Sequence, residues 1–156
     1  MSNWYACYTG GSGAGYRARI NITQEGTYTL TCGTGGTGRG GATGATVSGT
    51  AGAASTFKKG STTLISAGGG GAGVWGAAGA AGTLSKSSAL SENTVYVSAN
   101  GTAGTSGSLT ASGRAGPISG HTWGGSGSSF ASSAGGSANS SYHGYIYIKY
   151  IGPLST

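Results

Sequence analysis

Glycine recurs at every third position along two stretches of this chain: Gly35, Gly38, Gly41 and Gly44, then Gly70, Gly73, Gly76, Gly79 and Gly82. Shorter echoes follow at Gly101, Gly104 and Gly107, at Gly113 and Gly116, and at Gly124 and Gly127. A three-residue period matches an extended helix of the polyproline-II type, which rises about 3.1 Å per residue and makes no hydrogen bonds within itself. In that form the run from Gly70 to Gly82 would span roughly 37 Å. The backbone groups of such a segment must find partners on other segments. The spacing therefore predicts several glycine-faced helices packed side by side, with Ala, Thr, Ser or Arg pointing outward. N–H to C=O bonds and Cα–H contacts between them would replace a side-chain core. Collagen shares the period but is rich in proline, whereas Pro117 and Pro153 both fall outside the two longest runs. A flexible Gly/Ser linker is the alternative reading, and the regular spacing with small alanines is more than flexibility requires.

Composition explains why an unusual core is needed. The chain has 156 residues, of which 36 are glycine and only 19 are Leu, Ile, Val or Phe. Glycine gives up the most backbone entropy on ordering and contributes no side chain to pack. So low an aliphatic share would suggest disorder if the net charge were high, but it is only +6. The length suits one domain. Nine Tyr and three Trp supply apolar faces with polar handles. The cations, Arg17, Arg19, Lys58, Lys59, Lys86, Lys149, Arg39 and Arg114, are scattered apart from the Lys58–Lys59 pair. That argues against nucleic acid as a partner, and the positive charge favours an anionic cell surface instead. No apolar run is long enough to span a membrane, and the start, MSNWYACYTGG, lacks the basic-then-apolar order of a secretory signal. Work outside a cell would need another export route, or a place within a longer chain. Cys7 and Cys32 match no zinc or redox spacing. They read as two buried or half-buried thiols, with a disulfide as the alternative.

Strand patterns separate the glycine stretches. Residues 16–22, YRARINI, alternate apolar and polar, and 27–32, TYTLTC, do the same after the turn-like Gln24-Glu25-Gly26. The two read as a hairpin or as sheet neighbours. Residues 62–67, TTLISA, and 94–99, TVYVSA, are further strands, and 142–151, YHGYIYIKYI, is the clearest, with both faces covered. Leu84 to Asn93 offers at most a turn or a fragment of helix. The expected fold is all-β: a small antiparallel sheet or sandwich combined with packed polyglycine-II-type helices. Residues 1–15 read as a junction or N-terminal arm, 16–152 as a single domain and 153–156 as a tail.

Catalytic material is scarce. There is no Asp, and Glu25 and Glu92 sit in turn-like contexts without support for a carboxylate pair. His121 and His143 have no third ligand or orienting carboxylate, so no metal, cofactor or catalytic set is expected. The segment GTGGTGRGG at 33–41 resembles a phosphate loop but lacks its Lys-Ser/Thr pair and a following helix. The chain reads as a non-enzymatic binding module. Its contact residues are those that a glycine scaffold has no structural reason to hold: Trp75 in the longest glycine run, His121, Trp123 and Phe130 in PISGHTWGGSGSSF, and Phe57, Lys58 and Lys59 in the loop 54–61, ASTFKKGS. Each has a structural alternative. Trp75 could be a wedge between sheet and glycine layer, Trp123 and Phe130 loop plugs, and Phe57 with its lysines a surface turn. Tyr145, Tyr147 and Tyr150 read as sheet packing.

The order of GTYTLT (Gly26 to Thr31), the ISAGGGG-led triplets (Ile65 to Gly82) and the closing YHGYIYIKY strand (within Ser141 to Tyr150) resembles the glycine-rich domains of bacteriophage tail-fibre, tail-tip and adhesin proteins and of related bacterial surface adhesins. The resemblance implies layered polyglycine-II helices whose distal loops recognise a receptor on a host bacterium, a glycan or an outer-membrane protein. It further implies a place on a phage tail or a bacterial surface, at the tip of a fibre that is often trimeric. A structural or assembly protein of such a fibre is the main alternative. An ice-adsorbing module with a flat Thr/Ala face is a lesser one.

Overall fold

The computed structural model describes residues 7–8, 10–37, 39–40, 49–74, 77–104, 130–131, 143–149 and 152. Among these residues there is no helix, and the class is all-β. The strands are β1 (Cys7–Tyr8), β2 (Gly15–Ile20), β3 (Tyr28–Thr31), β4 (Arg39–Gly40), β5 (Ser55–Lys59), β6 (Thr62–Ala67), β7 (Leu84–Lys86), β8 (Glu92–Ala99) and β9 (Phe130–Ala131). They form an antiparallel sheet β3-β5-β6-β7, an antiparallel pair β2-β8, and a small sheet β1-β9-β4 in which β4 and β9 run parallel.

The strand candidate TTLISA becomes β6 with the expected bounds, and β8 extends the expected strand at 94–99 by two residues at its start. The pairing of 16–22 with 27–32 is not observed. β2 pairs with β8, and β3 pairs with β5. The connecting residues 21–27 do not make a tight hairpin: Gly26 adopts φ +145°, and Asn21 N–H donates to Ser91 O at 3.0 Å, tying the turn to the loop before β8. Phe57, Lys58 and Lys59 lie in strand β5 rather than in a loop. The turn is the two-residue Gly60-Ser61, with Gly60 at φ +53°, the left-handed conformation glycine supplies at the first position of a tight hairpin. The expected closing strand is also absent where it can be seen: 143–149 belongs to no strand, and Tyr147 and Ile148 are exposed. β-Propensity alone does not make a strand without a partner strand to pair with.

The four-stranded sheet has two unlike faces. Register and alternation put Thr29, Thr31, Thr56, Lys58, Thr63, Ser66 and Ser85 on one side. Tyr28, Leu30, Phe57, Lys59 and Ile65 lie on the other. A register shift opposite Phe57/Lys58 inserts Leu64. Among the described residues, Leu64 and Ile65, at 7% and 8% exposure, are the buried hydrophobic residues. Two side chains cannot by themselves order the described residues, so their order must rest elsewhere.

It rests on the glycine segments, each of which continues a β-pair in unbroken register. Beyond the Ala67–Leu84 pair, Gly68 N–H donates to Thr83 O at 2.8 Å and Gly71 N–H to Ala80 O at 2.8 Å, while Val74 and Ala77 exchange bonds of 3.0 and 3.1 Å. The donors on this arm thus fall at every third residue. Beyond Thr31–Thr56, Ala53 bonds Thr34 O and Thr50 bonds Thr37 O. Beyond Gly15–Ala99, Ser12 N–H bonds Thr102 O at 2.8 Å. Three hairpin-like pairs therefore change their bonding interval from a strand-like repeat to a triplet where side-chain-rich sequence gives way to glycine.

The triplet arms also bond sideways. Segment 10–14 joins 68–74 through Gly11 to Gly71 O and Ala14 to Gly68 O; it joins 77–83 through Gly82 to Ser12 O, and 100–104 through Ser12 to Thr102 O. Arm 77–83 bonds 100–104 through Gly101 to Gly82 O and Gly104 to Gly79 O, and Gly52 bonds Gly70 O. A strand in a flat sheet has two bonded neighbours, whereas 10–14, 68–74 and 77–83 each have three. These segments form a bundle in which bonds to one neighbour recur at every third residue, the period of a polyproline-II-type helix. Burial follows the same period: Gly70, Gly73, Gly79 and Gly82 are buried while Ala80 and Thr83 are exposed. In 33–37 the buried frame is Gly33 and Gly36, with Gly35 half-buried, so a neighbouring triplet frame makes the contact there. Gly38, Gly41, Gly44 and Gly76 lie outside the described residues. Residues 10–14, read from sequence as part of an arm, run through the middle of the bundle, and Ser12 is fully buried.

Candidate functional site

The register that places the glycine bundle at one end of the hairpins places three connections, 21–27, 60–61 and 87–91, at the other. Between them lies an open cleft of about 370 Å³, lined by residues from the end of β2, the starts of β3 and β6, the end of β5 and the loop before β8. Its polar lining includes Asn21, Gln24, Lys59, Thr62 and Ser91, and its apolar lining Ile20, Ile22, Leu64 and Leu90.

Tyr28 and Lys59, direct cross-strand partners, organise one wall. The Tyr28 hydroxyl donates to Gln24 O at 2.9 Å. The Lys59 ammonium sits 5.9 Å from the centre of the Tyr28 ring and donates to Gln24 Oε1. Phe57 stacks on Tyr28 with ring centres 5.6 Å apart and planes 18° from parallel. Tyr28 is thus fixed by its hydrogen bond, by the stacked Phe57 and by the cation at its ring. Gly60 N–H donates to Thr27 O and closes the hairpin turn against this wall.

The structure separates the lysine pair. Adjacent strand residues point to opposite faces, so Lys59 lines the cleft, while Lys58 stands among the threonines of the other face. Phe57 supports Tyr28 and is not among the lining residues. Trp75, His121 and Trp123 lie outside the described residues. Val74, which precedes Trp75, and Ala77, two residues on, are bridged at the far end of the β6–β7 hairpin, away from the cleft. Phe130 is described only as part of the β9 backbone, where it pairs with Tyr8 and Arg39.

Sequence reading passed over Tyr28, Gln24 and Asn21, whose signal was a polar turn flanked by two strand patterns. It also passed over Tyr96, which is exposed in β8 with the Arg17 guanidinium 5.3 Å from its ring centre. A third cluster ties the two antiparallel sheets together. The Tyr16 hydroxyl donates to Glu92, and Lys86 of β7 reaches the same carboxylate at 3.0 Å and the Tyr16 ring at 5.5 Å. The Tyr16 hydrogen bond first, and then Lys86, hold the Glu92 carboxyl below its ordinary range. Burial first, and then Glu92, push the Tyr16 phenol up. This carboxylate is engaged as a structural link.

Cys32 is a free, exposed thiol, unlike the buried or half-buried thiol expected. Its neighbour Gly33 is buried against the Ala53 backbone. Among the described residues no three of His, Cys, Asp and Glu come together as a metal site, and no helix is long and apolar enough to cross a membrane. His143 Nδ1 instead accepts Gly35 N–H at 3.2 Å, and Gly144 N–H bonds Gly33 O, docking 143–144 onto the bundle. No protein-family model matches the chain, and no curated protein or solved structure matches it.

Proposed function

We propose that the protein is a non-enzymatic adhesin tip that binds a bacterial cell-surface receptor, a glycan or an outer-membrane protein, with the cleft at the turn end of its sheets as a contact site. The observation that carries this reading is the Tyr28–Lys59–Gln24 wall, a polar and aromatic surface held by strands that are in turn fixed by the triplet-bonded bundle. Recognition residues on turns supported by a rigid scaffold are the usual arrangement of binding modules. The net charge of +6 assists approach to an anionic cell envelope. The resemblance to phage tail-tip and bacterial adhesin domains supports a location on a virion tail or cell surface, at the end of a fibre in which the chain is a homotrimer.

The test is binding of the purified, fluorescently labelled chain to a panel of intact bacteria, with Lys59→Met, Lys58→Met and Trp123→Ala compared. Binding lost in Lys59→Met and kept in Lys58→Met is expected. Binding lost only in Trp123→Ala would move the contact site to the aromatic loops nominated from sequence. Binding to no bacterium would favour the second reading, a structural or assembly protein of a surface fibre. That reading draws on Tyr147 and Ile148, exposed at 70% and 64% on a segment outside the sheets.

A further inference from the structure

The charge and shape of the cleft narrow its ligand further, an inference that rests on the cleft being the contact site. Lys59 is the one cation among the lining residues, and no acidic residue is among them. Lys59 is half-buried as a residue, and its ammonium is held by a neutral amide oxygen and a ring face. Of the two carboxylate side chains in the protein, Glu92 is committed to Tyr16 and Lys86, and Glu25 does not line the cleft. A cation with no carboxylate in its cleft favours an anion. A single ammonium suits one negative charge; a dianion such as a phosphate monoester would bring in a second charge with no counter-ion from the protein.

The remaining lining specifies the body of that anion. Asn21 and Gln24 carry side-chain amides, and Thr23, Thr62 and Ser91 carry hydroxyls, all able both to donate and to accept. Ile20, Ile22, Leu64 and Leu90 add apolar surface to the same lining. A ligand matching both has hydroxyls on its edges, an apolar C–H face and one carboxylate. The volume of about 370 Å³ is at the lower end of small-molecule sites and admits one or two sugar rings rather than a folded protein loop. We infer that the cleft takes a carboxylated sugar unit of an acidic surface polysaccharide, with its carboxylate on Lys59 and its C–H face against Leu64 and Leu90.

The test titrates the full chain with short oligogalacturonides, with the same oligomers methyl-esterified, and with neutral galactan oligomers, following amide shifts of residues 20–24 and 59–62. The free acid is expected to bind about tenfold or more tighter than its ester, since an ion-paired hydrogen bond is stronger than a neutral one. Lys59→Met should abolish that preference, Lys59→Arg should restore part of it, and Lys58→Met should leave it intact. Equal binding of acid and ester, or an unchanged preference in Lys59→Met, would overturn the carboxylate assignment while leaving the cleft as a saccharide site. No saccharide-induced shift at these residues would also overturn the assignment. If cleft variants in addition left bacterial binding unchanged, the cleft would cease to be the contact site. Thermal melts of each variant separate loss of binding from loss of fold.

Discussion

A methyl group built on Gly70 would lie 1.9 Å from the carbonyl oxygen of Gly11, closer than any two such atoms can approach. The obstacle is backbone on a fully packed neighbour, so no rotamer change relieves it. Gly70→Ala should therefore destabilise the domain by more than ordinary overpacking, at least about 3 kcal/mol. Gly60→Ala provides the contrast. Nothing lies within 4 Å of a methyl there, and the cost is that of a left-handed φ alone, about 1–2 kcal/mol. Urea denaturation of both variants measures the difference; equal losses would contradict close backbone packing at Gly70.

Ser12 is the fully buried side chain of the central segment. Its Oγ accepts Thr102 N–H at 2.8 Å and lies 3.3 Å from Thr102 Oγ1. Ser12→Ala keeps the shape but takes the acceptor from the part-buried Thr102 N–H, at a cost of about 1 kcal/mol. The same denaturation experiment reads it, and a loss below about 0.5 kcal/mol would show that Thr102 finds another partner.

The Tyr16–Glu92 contact sets the pH response from both sides. The folded state lowers the Glu92 pKa, so its contribution is present above the unfolded carboxyl pKa and is lost as pH falls through the lower folded value. The folded state raises the Tyr16 pKa, so that contribution is present below the unfolded phenol pKa and is lost as pH rises through the higher folded value. Melting temperature against pH should therefore fall at both extremes, with Tyr16→Phe flattening both limbs and Glu92→Gln removing the acid-side contribution of this residue. An alkaline limb unchanged in Tyr16→Phe would place that titration elsewhere.

What the sequence disclosed follows from what is local. TTLISA forms a strand because its β-branched residues, Thr62, Thr63 and Ile65, and the Gly60-Ser61 turn beside it agree. The glycine period announced triplet bonding but not which frame makes contact, because GTGGTG at 33–38 offers more than one and only the neighbouring segment selects Gly33 and Gly36. Partner choice is non-local, so β2 bonding to β8, more than 70 residues away, was hidden by the nearer candidate at 27–32. Lysines beside Phe57 looked like a surface loop, yet in a strand they divide between two faces. Of the cleft, Lys59 was legible as an unusual residue. Tyr28, Asn21 and Gln24 were not, because their convergence depends on how three turns meet.

The most direct test of the bundle is residue-resolved amide hydrogen exchange across 68–74 in the native protein. Triplet bonding predicts slow exchange at Gly68, Gly71 and Val74, with faster exchange at Gly69, Gly70, Ala72 and Gly73 between them. Protection at alternate residues would indicate an ordinary strand. Uniformly fast exchange would indicate a flexible glycine linker, and either result would contradict the bundle.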